Sequence, residues 1–139
     1  MKRAACVWIS NPHGQVLAVN RRQDPALLCM PGGKCEEGET FIAAAVRETW
    51  EETGVRMPEE ALTLVLRGPC ESFPGGPSDH DVCAYAAQWQ PSWGEPVQQE
   101  AGVQPRWVSV DEFMAHAAMP AYNRNVLEAI EILDLFDLR

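Results

Sequence analysis

The chain is short of three things: paired cysteines, long apolar runs and positive charge. Its five cysteines, Cys6, Cys29, Cys35, Cys70 and Cys83, are odd in number and widely spaced. No two form a Cys-x-x-Cys pair, which excludes the usual zinc spacing and argues against a disulfide framework. Free thiols in a reducing compartment are the expectation. No apolar stretch approaches the length that spans a bilayer. The start, Met1-Lys2-Arg3 followed by apolar residues 4–9, is too short for a signal segment and is ended by the turn Asn11-Pro12-His13-Gly14. A cytoplasmic protein is expected. There are 11 basic residues against 20 acidic ones, for a formal net charge of −9. That balance disfavours non-specific binding to a nucleic-acid polymer or an anionic membrane. An anionic small-molecule substrate would need cations to offset the repulsion, and bound metal ions are natural candidates.

What remains is ordinary for a folded domain: 46% hydrophobic and 22% charged residues over 139 positions. That length fits one domain, residues 1–139, with one core. No repeat, linker or low-complexity segment interrupts it. Residues 4–10 and 15–20 read as the strands of a hairpin across Asn11-Pro12-His13-Gly14. Residues 21–25 read as a polar loop, and Pro31-Gly32-Gly33 as an irregular breaker with free dihedral choice. Residues 40–53 read as a helix, with Thr40 as N-cap and Gly54 as the C′ residue. Strands are expected over 62–67, 81–89 and 106–110. Loops are expected over 73–79 and 90–105. A short helix capped by Asp111 and a final helix from Asn123 to about Phe136 complete the pattern. Strands and helices mix without strict alternation, which favours a mixed sheet with helices on its faces.

The helix over 40–53 is two-sided. At about 100° per residue, Glu48, Glu51 and Glu52 share one stripe. Ile42, Ala45, Val46 and Thr49 form a neighbouring arc that can face a core. Like charges at i, i+3 and i+4 repel, so such a stripe either faces water or holds a cation. Arg47 sits beside the cluster, and the glycine-rich turn lies just upstream, where backbone carbonyls can approach a metal. Hard oxygen donors of this kind suit Mg²⁺ or Mn²⁺ better than zinc.

Gly33-x5-Glu39-x7-Arg47-Glu48-Thr49-x-Glu51-Glu52-x-Gly54-Val55 resembles the Nudix box over residues 33–55. Thr49 stands where that family usually has an aliphatic residue, a minor packing change. The resemblance implies an α/β fold, an α/β/α sandwich around a mixed central sheet in which the box is loop-helix-loop. It implies a metal-dependent pyrophosphohydrolase acting on a nucleoside diphosphate linked to another group. Carried onto this chain, Glu48, Glu51 and Glu52 look like metal ligands and the Gly32 carbonyl like a backbone ligand. Glu39 and Arg47 look like the pair that braces loop to helix, and Lys34 like a cation near the phosphates. The base is Glu52, Glu51 or a glutamate outside the box.

The layout beyond the box is similar to the MutT-like branch. There Arg22 matches a nucleotide contact and Glu100 an extra metal ligand. Asn123 matches an amide that reads a purine edge. Each has a plainer rival: a solvated loop charge for Arg22 and Glu100, a helix N-cap for Asn123. Phe73 and Tyr122 are candidates for stacking on a base. Trp8, Trp89, Trp93 and Trp107 read as core or rim. The favoured substrate is a nucleoside triphosphate, oxidised or not, cut to a monophosphate and pyrophosphate. The alternatives are a nucleotide sugar, ADP-ribose or a dinucleoside polyphosphate. A non-catalytic nucleotide-binding module ranks below these, because every box glutamate is present. The expected partner is a small nucleotide, and the expected assembly a monomer or homodimer.

Overall fold

The computed structural model describes residues 2–71 and 79–133. Seven strands form one sheet: β1 Lys2–Ser10, β2 Gln15–Arg21, β3 Asp24–Cys29, β4 Gly32–Lys34, β5 Thr63–Pro69, β6 His80–Gln88 and β7 Pro105–Ser109. Three helices complete the fold: α1 Phe41–Thr53, α2 Val110–Ala115 and α3 Pro120–Ile132. The strand order is β3-β2-β1-β6-β5, with β4 added to β1 and β7 to β2. β1 runs parallel to β6, and the other pairings are antiparallel, so the sheet is mixed.

Period-two alternation puts each central strand to work on both faces. Val7 and Ile9 of β1, Leu17 of β2 and Tyr85 of β6 pack with Ala44 and Ala45 of α1. The intervening residues Trp8, Val16 and Ala84 pack with Phe113 of α2 and Val126 and Ile130 of α3. Trp8 meets Phe113 edge-on, with centroids 5.3 Å apart. Helices thus cover both faces of the sheet, as the sandwich expectation requires. Trp8 and Trp93 are buried, and Trp89 meets Trp107 edge-on at 6.0 Å at the rim of the α1 side.

Several expectations change. Residues 21–25 are not a loop: Arg22 and Gln23 alone make the turn between β2 and β3. Pro25 misleads the reading, yet β3 ends the strand order, where a missing N–H is tolerated. Gly32 and Gly33 lie in β4, and neither has positive φ. Their value is space. A Cβ on Gly32 would lie 2.3 Å from the Ala5 carbonyl oxygen. Ser109, not Asp111, caps α2 by accepting from the Glu112 N–H. α3 starts at Pro120, whose fixed φ suits a first helical position. Asn123 is therefore inside the helix and not its N-cap. The expectation that the helix reaches Phe136 lies outside the described residues, as does Phe73.

Candidate active site

The box helix is set by its ends. Thr40 holds extended dihedrals and its side chain accepts from the Ala43 N–H, while Gly54 takes φ 75° beyond the last turn. Ala44, Ala45, Thr49 and Thr53 are the buried residues of the helix, and Glu48 and Glu52 meet Gly33 and Gly32 of β4. Thr49 is fully buried and its hydroxyl has no hydrogen-bond partner among the described residues. The departure from an aliphatic residue therefore strands a polar atom, which costs more than a change of shape.

Arg47 is the hub of the site. Its Nε donates to Glu39 Oε2 at 2.8 Å and its Nη2 to Glu39 Oε1 at 2.9 Å, a two-toothed grip on the loop before the helix. Its Nη1 donates to Glu48 Oε1 and to Glu51 Oε1, both at 2.9 Å. Its Nη2 also reaches the Lys34 carbonyl at 3.0 Å. The guanidinium bonds and the Glu36 N–H hold the Glu39 carboxyl down at about 2.

Glu48 and Glu52 are pushed the other way. Burial raises both, Glu52 to about 8, and the neighbouring charges of Glu48, Glu100 and Glu51 add to the Glu52 shift. The Gly32 N–H, donating to Glu52 Oε1 at 2.8 Å, opposes it only in part. Gly33 passes so close to Glu48 that a Cβ there would sit 2.5 Å from the carboxylate carbon. The sequence reading had stressed the Gly32 carbonyl; the bond seen here is made by its N–H.

Among the described residues, no three carboxylate, imidazole or thiol groups stand in ready ligating geometry. Arg47 lies between them. The donor set nonetheless fits a hard divalent cation. It is all oxygen, and burial raises Glu48 and Glu52 with neighbouring carboxylates adding to the shift, an environment that a divalent cation would relieve.

A cleft of about 720 Å³ opens beside this cluster. Gly32, Lys34 and Glu52 line it, and so do Arg22 and Asn123 from elsewhere in the chain. Arg22, at the tip of the β2–β3 turn, donates to Glu100 Oε2 at 2.7 Å. Asn123 is 1% exposed, and its amide nitrogen has no partner among the described residues. Tyr122 also lines the cleft but is buried against the α3 side. Asn20, Glu71 and His80 line it too, and the sequence reading missed all three. Only Asn20 left a signal, as a polar residue following the apolar run 16–19 of β2. Glu71 accepts the Tyr122 N–H at 2.7 Å, a contact across 51 residues that no motif marks.

The NUDIX domain family matches residues 1–130. A MutT-like protein of Streptomyces ambofaciens is 29% identical over 124 residues, covering 89% of this chain and 70% of that protein. An RNA pyrophosphohydrolase of Roseobacter denitrificans is 48% identical over 56 residues, 40% of this chain and 34% of that protein. The fold is that of the dihydroneopterin triphosphate pyrophosphohydrolase of E. coli, with TM-score 0.71 and 23% identity over 91% of this chain and 92% of that one. A family match that runs through both the carboxylate cluster and the cleft leaves one conclusion: the chain belongs to the Nudix family of hydrolases that act on pyrophosphate bonds.

Proposed function

We propose that the chain hydrolyses a nucleoside triphosphate, oxidised or not, to a nucleoside monophosphate and pyrophosphate, with Mg²⁺ or Mn²⁺ as cofactor. One observation carries the reading: a single cleft gathers cations, Arg22 and Lys34 among them, a box carboxylate, Glu52, and the Asn123 amide, whose nitrogen has no partner among the described residues. The cations suit a polyphosphate and the amide suits a base edge. The likeness to a putative 8-oxo-dGTP diphosphatase of Bacillus subtilis, 39% identical over 67 residues, 48% of this chain and 44% of that protein, favours a triphosphate over the other linked groups.

Glu48, Glu51, Glu52, Glu100 and the Gly32 carbonyl would hold the cation, which when bound neutralises charge on the phosphates and makes water a better nucleophile. The chain's own groups do the rest. Arg47 orients Glu48 and Glu51 and ties them to the Glu39 loop. Lys34 and Arg22 offset phosphate charge. A carboxylate, Glu51, Glu52 or a glutamate outside the box, takes the proton of the attacking water. The water oxygen bonds to phosphorus, the anhydride bond breaks, and pyrophosphate leaves with the electron pair. Asn123 donates to an acceptor on the base.

A panel of nucleotides with Mg²⁺ or Mn²⁺ and product identification tests this. Monophosphate and pyrophosphate from a triphosphate are expected. Turnover confined to nucleotide sugars, ADP-ribose or dinucleoside polyphosphates would reject the triphosphate reading. Binding without turnover would make the chain a nucleotide-binding module. Glu51→Gln and Glu52→Gln should each cut the rate by orders of magnitude with the fold intact; full turnover in both would overturn the cation-site assignment.

A further inference from the structure

The loop that carries Glu100 packs on the end of α1: the Val97 N–H donates to the Thr53 carbonyl at 2.8 Å, and Gln99 Nε2 lies 3.2 Å from where a Cβ on Gly54 would stand. Glu100 so approaches the box helix from far away in sequence, and its charge adds to the upward shift that burial imposes on Glu48 and Glu52. What places it there is a small set of contacts. Residues 100–103 form a tight turn: the Val103 N–H donates to the Glu100 carbonyl at 3.2 Å, and Gly102 has φ 81°. The turn precedes β7, which pairs with β2 as far as Val19 opposite Pro105. Proline has no N–H, so the ladder cannot continue in the ordinary way. The side chain of Asn20, the next residue of β2, takes over. Its Oδ1 accepts the Gln104 N–H at 2.6 Å and its Nδ2 donates to the Gly102 carbonyl at 2.8 Å. One amide thus grips the turn on both sides of Val103, which is buried and lines the cleft. Two further ties are exposed: Gln98 Nε2 donates to the Glu100 carbonyl at 3.2 Å, and the Arg22–Glu100 pair joins side chains 57% and 37% exposed, so solvent screens it.

We infer that Asn20 is a positioning residue for Glu100: its side-chain amide extends the β2–β7 pairing past Pro105 and holds the 100–103 turn where Glu100 reaches the box carboxylates. The inference rests on the proposed reading only in taking Glu100 as part of the cation site. An asparagine is suited to the task because its amide carries the donor and the acceptor on separate atoms of a short stem, so one side chain can serve an N–H and a carbonyl two residues apart. Alanine at this position leaves both backbone groups to water and lets the turn swing.

The test is a double-mutant cycle in the full chain, with Asn20→Ala, Glu100→Gln and the double variant. Mn²⁺ affinity without nucleotide is measured by electron paramagnetic resonance, and kcat and KM on a triphosphate beside it. Each single change should weaken Mn²⁺ binding about tenfold, the lower range for groups that orient ligands. The double variant should be no worse than Glu100→Gln alone, since Asn20 acts through Glu100. Asn20→Asp keeps the acceptor for Gln104 and loses the donor to Gly102, and should fall between wild type and alanine. Losses that multiply in the double variant would overturn the inference, because a merely structural asparagine acts whatever occupies position 100. Wild-type Mn²⁺ binding in Glu100→Gln would overturn it too, while pyrophosphate release in the same samples would leave the proposed function standing. A non-additive cycle in a chain that cuts no triphosphate would do the reverse.

Discussion

Replacing Gly33 by alanine puts a methyl carbon 2.5 Å from Glu48 Cδ and 2.7 Å from each carboxylate oxygen. Ordinary contact begins near 3.4 Å, so the carboxylate must retreat by about 0.9 Å. It is the end of a flexible side chain, so the backbone need not follow, and the fold should lose little. The site is less forgiving. Ligand distances hold to about ±0.2 Å, and a misplacement near 1 Å costs about a hundredfold in rate. The 2.9 Å bond from Arg47 to Glu48 would also be lost. Gly33→Ala should therefore keep its thermal midpoint within a few degrees while kcat falls about a hundredfold in a pyrophosphate-release assay. Gly32→Ala is the contrast. Its Cβ would meet backbone, the Ala5 oxygen at 2.3 Å and Cys6 Cα at 2.7 Å, so β4 must peel from β1. That variant should lose stability outright, by at least the 1–3 kcal/mol of about typical overpacking. Wild-type turnover in Gly33→Ala, or equal thermal losses in the two variants, would refute the distinction between a glycine that makes room for a carboxylate and one that makes room for a strand.

Other expectations follow from the same contacts. Thr49→Val removes a buried hydroxyl with no partner among the described residues and keeps the side-chain shape, so it should raise stability by about 1 kcal/mol, seen as a few degrees in a thermal melt. Glu39 titrates near 2 in the folded chain against an ordinary 4.5, because Arg47 bonds its charged form. The lowered folded value means a stabilisation present above pH 4.5 that is lost as pH falls toward 2. Glu39→Gln should flatten the urea midpoint over that window, and an unchanged acid slope would count against the pairing. If Asn123 reads the base as proposed, Asn123→Ala should raise KM for nucleotides more than it lowers kcat, since Asn123 lines the cleft and its amide nitrogen has no partner among the described residues. A pure kcat effect would remove Asn123 from base recognition.

The parts of the fold that were legible in the sequence are those fixed by local chemistry. Thr40 and Gly54 bracket α1 because a hydroxyl acceptor and a left-handed residue are local requirements, visible without knowing what the helix touches. Strands β1, β2 and β6 were legible because their apolar runs are continuous, as strands buried on both faces must be. β3 was hidden because Pro25 and Asp24 look like a turn, and only the outer place of that strand excuses them. Gly32 and Gly33 were noticed for the wrong reason. Their residue type suggested dihedral freedom, whereas the need for small size depends on where β1 and Glu48 lie. Asn123 posed the same difficulty: an asparagine near a helix start invites a capping role, and Pro120 had already taken the start. The spacing of the box glutamates put three acids on one stripe. The Glu39–Arg47 brace was expected from the family resemblance; that one guanidinium would hold Glu39, Glu48 and Glu51 at once needed the loop in three dimensions.

The parallel pairing of β1 with β6 has a consequence for how the chain comes together. From Lys2 to His80 the two strands are matched residue for residue, yet 78 positions of chain separate them. Closing so long a loop carries an entropic cost that local turns do not. During synthesis, β1 can find β2 and then β4 early but must wait for its parallel neighbour until β6 has left the ribosome. Until then a strand bearing Val7, Trp8 and Ile9 has an open edge, the condition under which nascent chains recruit chaperones or one another.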